Sequence, residues 1–281
     1  MTFPTKDTAS HTVGPQIFFR ETVIDGYRTG ALDIFFEGRR VISVPSQLGC
    51  RVGCSFCVSR HLPLIRNLTA DEIFSLARHC LDVAPADGRP LELSFTGEGE
   101  PLLNWKNTQA ATRLVSKFSG DFDSVRYCLS GIGASRLLER IAPEQYPTRL
   151  QFSLHAARQL VRDRLVPRSE SLDSILKALR KTQSLFTGIE LNVVLQDTVN
   201  DSNEDLIALC GWGNPEWPVL LNPILADGLE RVAARTELFE SALISAGRLV
   251  KRYTKVAARI SRQGIYPMMS ARRTGPSEDS R

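Results

Sequence analysis

The chain has 281 residues, 42% of them apolar and 23% charged, and is long enough to bury about three quarters of its unfolded surface, which excludes intrinsic disorder as the main state. The charge excess, 35 − 31 = +4, is too small to mark a dedicated nucleic-acid binder. No run approaches 18 uncharged apolar residues and residues 1–16 carry no apolar signal core, so a cytoplasmic protein with no membrane partner is expected.

Residues 16–44 alternate as short strands, with Asp25-Gly26 and Glu37-Gly38 as turn signals, and predict a small N-terminal β extension. A first core strand is expected before Cys50. Beyond the cysteines the pattern becomes strand then helix, repeated. The strands fall at 91–96, 124–129, 149–154, 190–195 and 218–222, and helical patterns start near Thr69, Asn104, Ser135, Leu172, Asn203 and Val232. The first helix is the clearest: Thr69 and Glu72 form a capping box, and Ile73, Leu76, Ala77, Cys80 and Leu81 make one apolar face. Six strands alternating with helices imply an α/β fold with a parallel sheet and right-handed crossovers. Periodicity leaves open a partial barrel or an open doubly wound sheet. Residues 271–281 read as a frayed tail.

Of the six cysteines, Cys80, Cys128 and Cys210 sit singly in apolar stretches and read as small core residues. Cys50, Cys54 and Cys57 form Cys-x3-Cys-x2-Cys directly after a core strand, and strand C-terminal ends are where α/β folds place working residues. A zinc site with His61 as fourth ligand would lack the usual second ligand pair. Three thiolates on a tight, glycine-bearing loop can instead bind three irons of a 4Fe-4S cluster and leave the fourth without a protein ligand. Polar residues close the later strands: Gly99 and Glu100 follow the second, Ser130 the third, Ser153 and His155 the fourth, and Asn222 the sixth. Arg126, Tyr127 and Gln151 are candidates to face substrate, although alternation does not say which point inward. Trp105, Trp212 and Trp217 read as core or loop anchors and His79 as helix packing, while Met268-Met269 would dock on the body. The basic stretch Arg248, Lys251, Arg252, Lys255, Arg259, Arg262 reads as a solvated face, with a non-catalytic iron–sulfur or zinc nucleic-acid binder as the alternative it would serve.

The cysteine spacing resembles the signature of the radical S-adenosylmethionine (SAM) superfamily, in which the amino and carboxylate groups of SAM chelate the open iron. Within it the chain resembles the RlmN/Cfr family of RNA-adenine methyltransferases, on Pro45-Ser46-Gln47-Leu48-Gly49-Cys50 through Phe56-Cys57 and on Gly97-Glu98-Gly99-Glu100-Pro101-Leu102-Leu103-Asn104. Ser130-Gly131, Ser153-Leu154-His155-Ala156, Arg164-Leu165-Val166-Pro167, Val199-Asn200-Asp201 and Asn222-Pro223 follow in the same order. The resemblance implies a partial (β/α)6 barrel over residues 45–255, preceded by the extension over 1–44 and followed by a C-terminal segment over 256–281. It makes Cys50, Cys54 and Cys57 the cluster ligands, and it gives SAM the contacts Phe56, Gly99, Glu100, Ser130, Ser153, His155 and Asn222. An electron donor such as a flavodoxin or ferredoxin is implied.

Three departures stand out. The family's resolving cysteine lies seven residues before the first cluster ligand, where this chain has Ser43, and its methyl-carrying cysteine is expected where Gln263 precedes Gly264. A serine hydroxyl is a far poorer nucleophile and leaving-group partner than a thiolate near neutral pH. The family's N-terminal RNA-binding domain has no counterpart in the 49 residues before Cys50. The expected activity is therefore cleavage of SAM to a 5′-deoxyadenosyl radical that abstracts hydrogen from a small, nucleoside- or nucleotide-like metabolite in a biosynthetic pathway, RNA being the less expected partner. The alternative is a shortened RlmN/Cfr-like RNA adenine methyltransferase.

Overall fold

A computed structural model describes residues 11–12, 17–36, 38–141, 143–223 and 229–252, so Gln263, Gly264, Met268, Met269, Lys255, Arg259 and Arg262 lie outside the described residues. The chain divides into two compact units.

The first unit contains β1 (His11–Thr12), β2 (Ile17–Ile24), β3 (Tyr27–Phe36), β4 (Arg39–Ser43), β5 (Gln47–Leu48), β6 (Arg66–Asn67), α1 (Ala70–Val83), β7 (Leu91–Phe95), α2 (Trp105–Phe118) and nearly all of β8 (Phe122–Leu129). Strands β1 to β4 pair antiparallel in chain order. Asp25 and Gly26 both take positive φ, 52° and 79°, as the tight turn between β2 and β3 requires. Strand β4 then changes partner sense, pairing antiparallel with β3 and parallel with β7, which pairs parallel with β8. Asp33 is fully buried and burial raises its pKa, yet Arg40 grips both its oxygens at 2.8 and 2.9 Å. Arg40 also donates to the Cys80 and Ala84 carbonyls (2.8 and 2.6 Å), placing a cation at the C-terminal end of α1. The Thr69–Glu72 capping box is present.

The second unit contains α3 (Ala134–Leu137), β9 (Thr148–Ser153), α4 (Gln159–Leu165), α5 (Leu172–Thr182), β10 (Gly188–Leu195), α6 (Asn203–Gly211), β11 (Val219–Pro223), α7 (Leu229–Ser245) and β12 (Val250–Arg252). Strands β9 to β12 are parallel throughout. The residues alternating with Leu150, Phe152, Leu191 and Val193 face the other way, so β9 and β10 each have one apolar and one largely polar side. Trp212 and Trp217 are buried, and Arg248 donates to both of their carbonyls (2.9 and 3.2 Å). Arg248 is therefore an internal support, not part of a solvated basic face. Cys128 and Cys210 are only half-buried, against the core placement expected, whereas Cys80 is buried. Among the described residues no helix is long and apolar enough to cross a membrane.

Candidate active site

Cys50, Gly99 and Glu100 belong to the first unit, and Cys54, Phe56, Cys57, Ser130, Ser153, His155 and Asn222 to the second. In the first unit Gly49 has φ +81°, and a Cβ there would lie 1.9 Å from the Pro63 carbonyl oxygen, so only glycine allows the turn that leads from β5 into Cys50. The Gly49 N–H donates to the Glu98 carboxylate. The Glu98 carbonyl accepts from the Ser46 and Gln47 N–H groups (2.8 and 3.3 Å), and Gln47 Oε1 accepts from the Glu100 N–H (2.9 Å). Asn104 Nδ2 adds bonds to the Ser46 and Leu68 carbonyls, both at 2.7 Å. Gly99 sits at φ +99°, where a Cβ would strike Ser46 Oγ and Gln47 Cβ at 2.7 Å. The loop after β7 and the segment leading into Cys50 are thus laced together. Glu100 is buried, and one of its oxygens caps the Leu102 N–H at 3.1 Å.

In the second unit the cysteine segment turns tightly, with Gly53 at φ +74° and the Cys57 N–H donating to the Cys54 carbonyl (3.0 Å). The Ser55 N–H donates to the Leu165 carbonyl at the end of α4 (2.9 Å). Phe56 meets the His155 ring edge to face, centroids 4.6 Å apart. Cys50, Cys54 and Cys57 are all half-buried thiols outside any disulfide. Among the described residues no three His, Cys, Asp or Glu side chains gather as they would around a single ion. A mononuclear site draws every donor to about 2.0–2.3 Å from one atom, while a cluster gives each thiolate its own iron. His61 is exposed and its Nε2 accepts from Arg60 Nε (2.7 Å), so it is engaged away from a zinc role. Three accessible thiols on one glycine-turned loop are the donor set that three irons require.

His155 is held by its whole backbone. It has φ +55°, its N–H donates to the Asn192 carbonyl (3.1 Å), and its own carbonyl accepts from Asn200 Nδ2 (2.6 Å). The Val194 N–H donates to Nδ1 (3.2 Å), which puts the proton of the neutral ring on Nε2 as an available donor. Burial, then the nearby Arg162 charge, holds its pKa well below the ordinary histidine value. The unfolded chain takes up this proton below about pH 6.5 and the folded chain does not, so stability is complete above that pH and is lost as pH falls below it, by up to about 1.4 kcal/mol per pH unit. Urea unfolding at about pH 7.5 and about pH 5.5 is expected to show this acid loss, and His155→Gln to diminish it.

Arg162, on α4, carries no sequence signal of importance and is fully buried. Its guanidinium donates to the Ser153 carbonyl (2.7 Å), the Leu154 carbonyl, the Ser130 carbonyl (2.6 Å) and Ser169 Oγ (3.0 Å). It ties the ends of β8 and β9 together. Asn200, of the Val199-Asn200-Asp201 motif, donates through Nδ2 to the His155 and Val194 carbonyls. Ser130 is buried, Ser153 half-buried, and Asn222 stands half-buried at the end of β11 opposite Val194. Of the three candidates for substrate, Tyr127 is excluded, being fully buried and stacked on Phe95. Arg126 lies on the other face of β8 and pairs with Glu92. Gln151 bonds Cys128 and Glu190. Ser43 Oγ shares a hydrogen bond with Thr96 Oγ1 (3.1 Å), which bonds Ser94 Oγ (2.6 Å).

The model of the radical SAM superfamily matches residues 44–210. A probable dual-specificity RNA methyltransferase RlmN of Thermotoga neapolitana is 34% identical over 187 residues, 64% of this chain and 53% of that protein. A dual-specificity RNA methyltransferase RlmN of Paracoccus denitrificans is 32% identical over 266 residues, 81% of this chain and 67% of that protein. The chain thus spans about half to two thirds of the length of these relatives. The crystal structure of a radical SAM methyltransferase from Sphaerobacter thermophilus superposes with a TM-score of 0.73 at 27% identity, over 85% of this chain and 73% of that one. With the parallel strands and intervening helices, this resolves the choice left open by periodicity in favour of the radical SAM barrel-like α/β fold.

Proposed function

Because this chain belongs to the radical SAM superfamily and is RlmN-like within it, we propose that it is an enzyme of radical SAM chemistry acting on an adenine-type base, with RNA methylation the first reading of its substrate class. Enzymes of this superfamily use a 4Fe-4S cluster and SAM and need a reductant. When bound, the cluster, recharged by that reductant, would supply one electron for reductive cleavage of SAM, the source of hydrogen-abstracting power whose by-product is 5′-deoxyadenosine. Cys50, Cys54 and Cys57 would hold three irons. Gly99, Glu100, Ser130, Ser153, His155 and Asn222 would receive SAM, His155 as a neutral Nε2–H donor, with Phe56 packed on its ring. Keeping these groups fixed is the protein's contribution, since hard radical chemistry comes from the cofactors.

The observation that carries the reading is the set of three half-buried thiols on a loop turned by Gly49 and Gly53. The relatives' names support RNA over the small metabolite expected from the sequence. One observation favours the metabolite as a second reading: Ser43 is a buried hydroxyl bonded to Thr96, where the resemblance expects a resolving thiol. Anaerobic reconstitution with iron, sulfide and dithionite, followed by measurement of 5′-deoxyadenosine, tests the shared core. A full cluster with no 5′-deoxyadenosine would refute it. Incubation with isotopically labelled SAM and either an RNA fragment or adenosine separates the two readings by which one carries away label or is consumed.

A further inference from the structure

The polar side of the second unit's strands carries a continuous row of hydrogen bonds. Cys128 Sγ donates to Gln151 Oε1 (3.1 Å), Gln151 Nε2 donates to Glu190 Oε1 (2.7 Å), and Lys251 Nζ donates to Glu190 Oε2 (2.7 Å). Gln151 and Glu190 stand directly opposite each other in the β9–β10 register, and the next pair on the same side is Ser153 and Asn192. The row therefore lies two residues, about 6.6 Å, inward from Ser153 at the strand end. In a packed (β/α) barrel, such an inner layer is filled by Val, Ile and Leu. Here amide, thiol, carboxylate and ammonium groups occupy it, and such groups cost free energy to bury.

Two further features point to a ligand. Asn192 Oδ1 is closed off from solvent and accepts no hydrogen bond, although it faces the same side as Glu190. A buried acceptor with no partner within the protein is one that the donor of a bound molecule can satisfy. The row is also reachable, with side-chain exposure of 17% for Glu190 and 46% for Lys251. The charges of Glu190 and Lys251 cancel, which disfavours a phosphate or carboxylate and favours a neutral group bearing both donors and acceptors.

Resting on the radical SAM reading above, we propose that Gln151, Glu190, Asn192 and Lys251 form the subsite that selects the substrate, by taking the edge of a neutral heterocyclic base with an exocyclic amine. The amine donates to Asn192 Oδ1, and ring nitrogens accept from Gln151 or Lys251. The same edge is offered by a free nucleoside and by a base within RNA. Cys128 orients Gln151 by fixing which end of its amide faces β8.

The test is equilibrium binding to the anaerobically reconstituted, SAM-loaded protein. The probes are adenosine, purine riboside, which lacks the amine, and a short single-stranded RNA with one adenosine, alongside the same RNA carrying purine riboside. Each amine-bearing probe that binds is expected to do so at least tenfold more tightly than its counterpart, and the tighter of the two pairs names the source of the base. In Asn192→Leu and in the milder Glu190→Gln, that ratio is expected to fall to within twofold. Equal binding with and without the amine in the unaltered protein, or a ratio unchanged in both variants while SAM still binds, would overturn the subsite and leave the radical SAM reading standing. Failure of the unaltered protein to bind SAM would remove both.

Discussion

Replacing Arg162 with glutamine is expected to cost roughly 3 kcal/mol of unfolding stability and to lower 5′-deoxyadenosine formation about a hundredfold. The guanidinium reaches three main-chain carbonyls, those of Ser130, Ser153 and Leu154, as well as Ser169 Oγ, and lies over the Phe152 ring. Burial pulls its pKa down to about 10, so it remains charged near neutral pH and its donors stay charge-assisted. A glutamine can satisfy at most part of this set, leaving carbonyls buried without donors. Relief from burying the charge offsets some of that loss, which is why the cost falls below the sum of the orphaned groups. The rate loss has a separate cause. Ser130 and Ser153 lie at the ends of two strands that this one side chain ties together, and His155 follows two residues later; a displacement of about 1 Å at such groups costs about two orders of magnitude in rate. Arg162→Lys is expected not to restore function, since a lysine cannot span the same carbonyls as a fork. Denaturant unfolding of the apoprotein, with SAM titration of the reconstituted protein, checks both parts. Unchanged SAM affinity and rate in Arg162→Gln would reduce Arg162 to a structural residue.

Arg162 also marks where sequence reading ends. The core strands were legible because short segments such as Leu91 to Phe95, Leu150 to Phe152 and Leu191 to Leu195 place apolar residues at alternate positions, and α1 announced itself through Thr69 and Glu72. The helix α4 did not. It is seven residues long, Leu160 on it is exposed, and Arg158, Arg162 and Arg164 give the stretch the look of a solvated face. What makes Arg162 different is the convergence of carbonyls from two strand ends and a hydroxyl from a third segment, which no local pattern encodes. The polar row has the same character. Alternation along Glu190, Leu191, Asn192, Val193 is visible in the sequence, but which side meets helices is decided by the sheet. Tyr127 and Gln151 looked alike as candidates until the strands placed one against Phe95 and the other beside Glu190. The cysteine motif needed no such context, because its information is in the spacing itself.

The largest loss is expected at those cysteines. Single changes of Cys50, Cys54 or Cys57 to alanine should each reduce iron and sulfide in the reconstituted protein to under about a tenth of the unaltered content and eliminate 5′-deoxyadenosine, since each thiolate would hold a different iron and none can stand in for another. Cys80, Cys128 and Cys210 to alanine should leave iron and sulfide unchanged. Burial pushes the Cys80 and Cys210 thiols up, which disfavours the thiolate that a metal needs, and Cys128 is turned toward Gln151. This second group is as decisive as the first. If iron depended on Cys128 or Cys210, a fourth protein thiolate would close the cluster and no iron would remain for the amino and carboxylate groups of SAM. Iron content lost only at the three loop cysteines, with Mössbauer spectra showing one iron perturbed when SAM is added, is the pattern that an open coordination position demands.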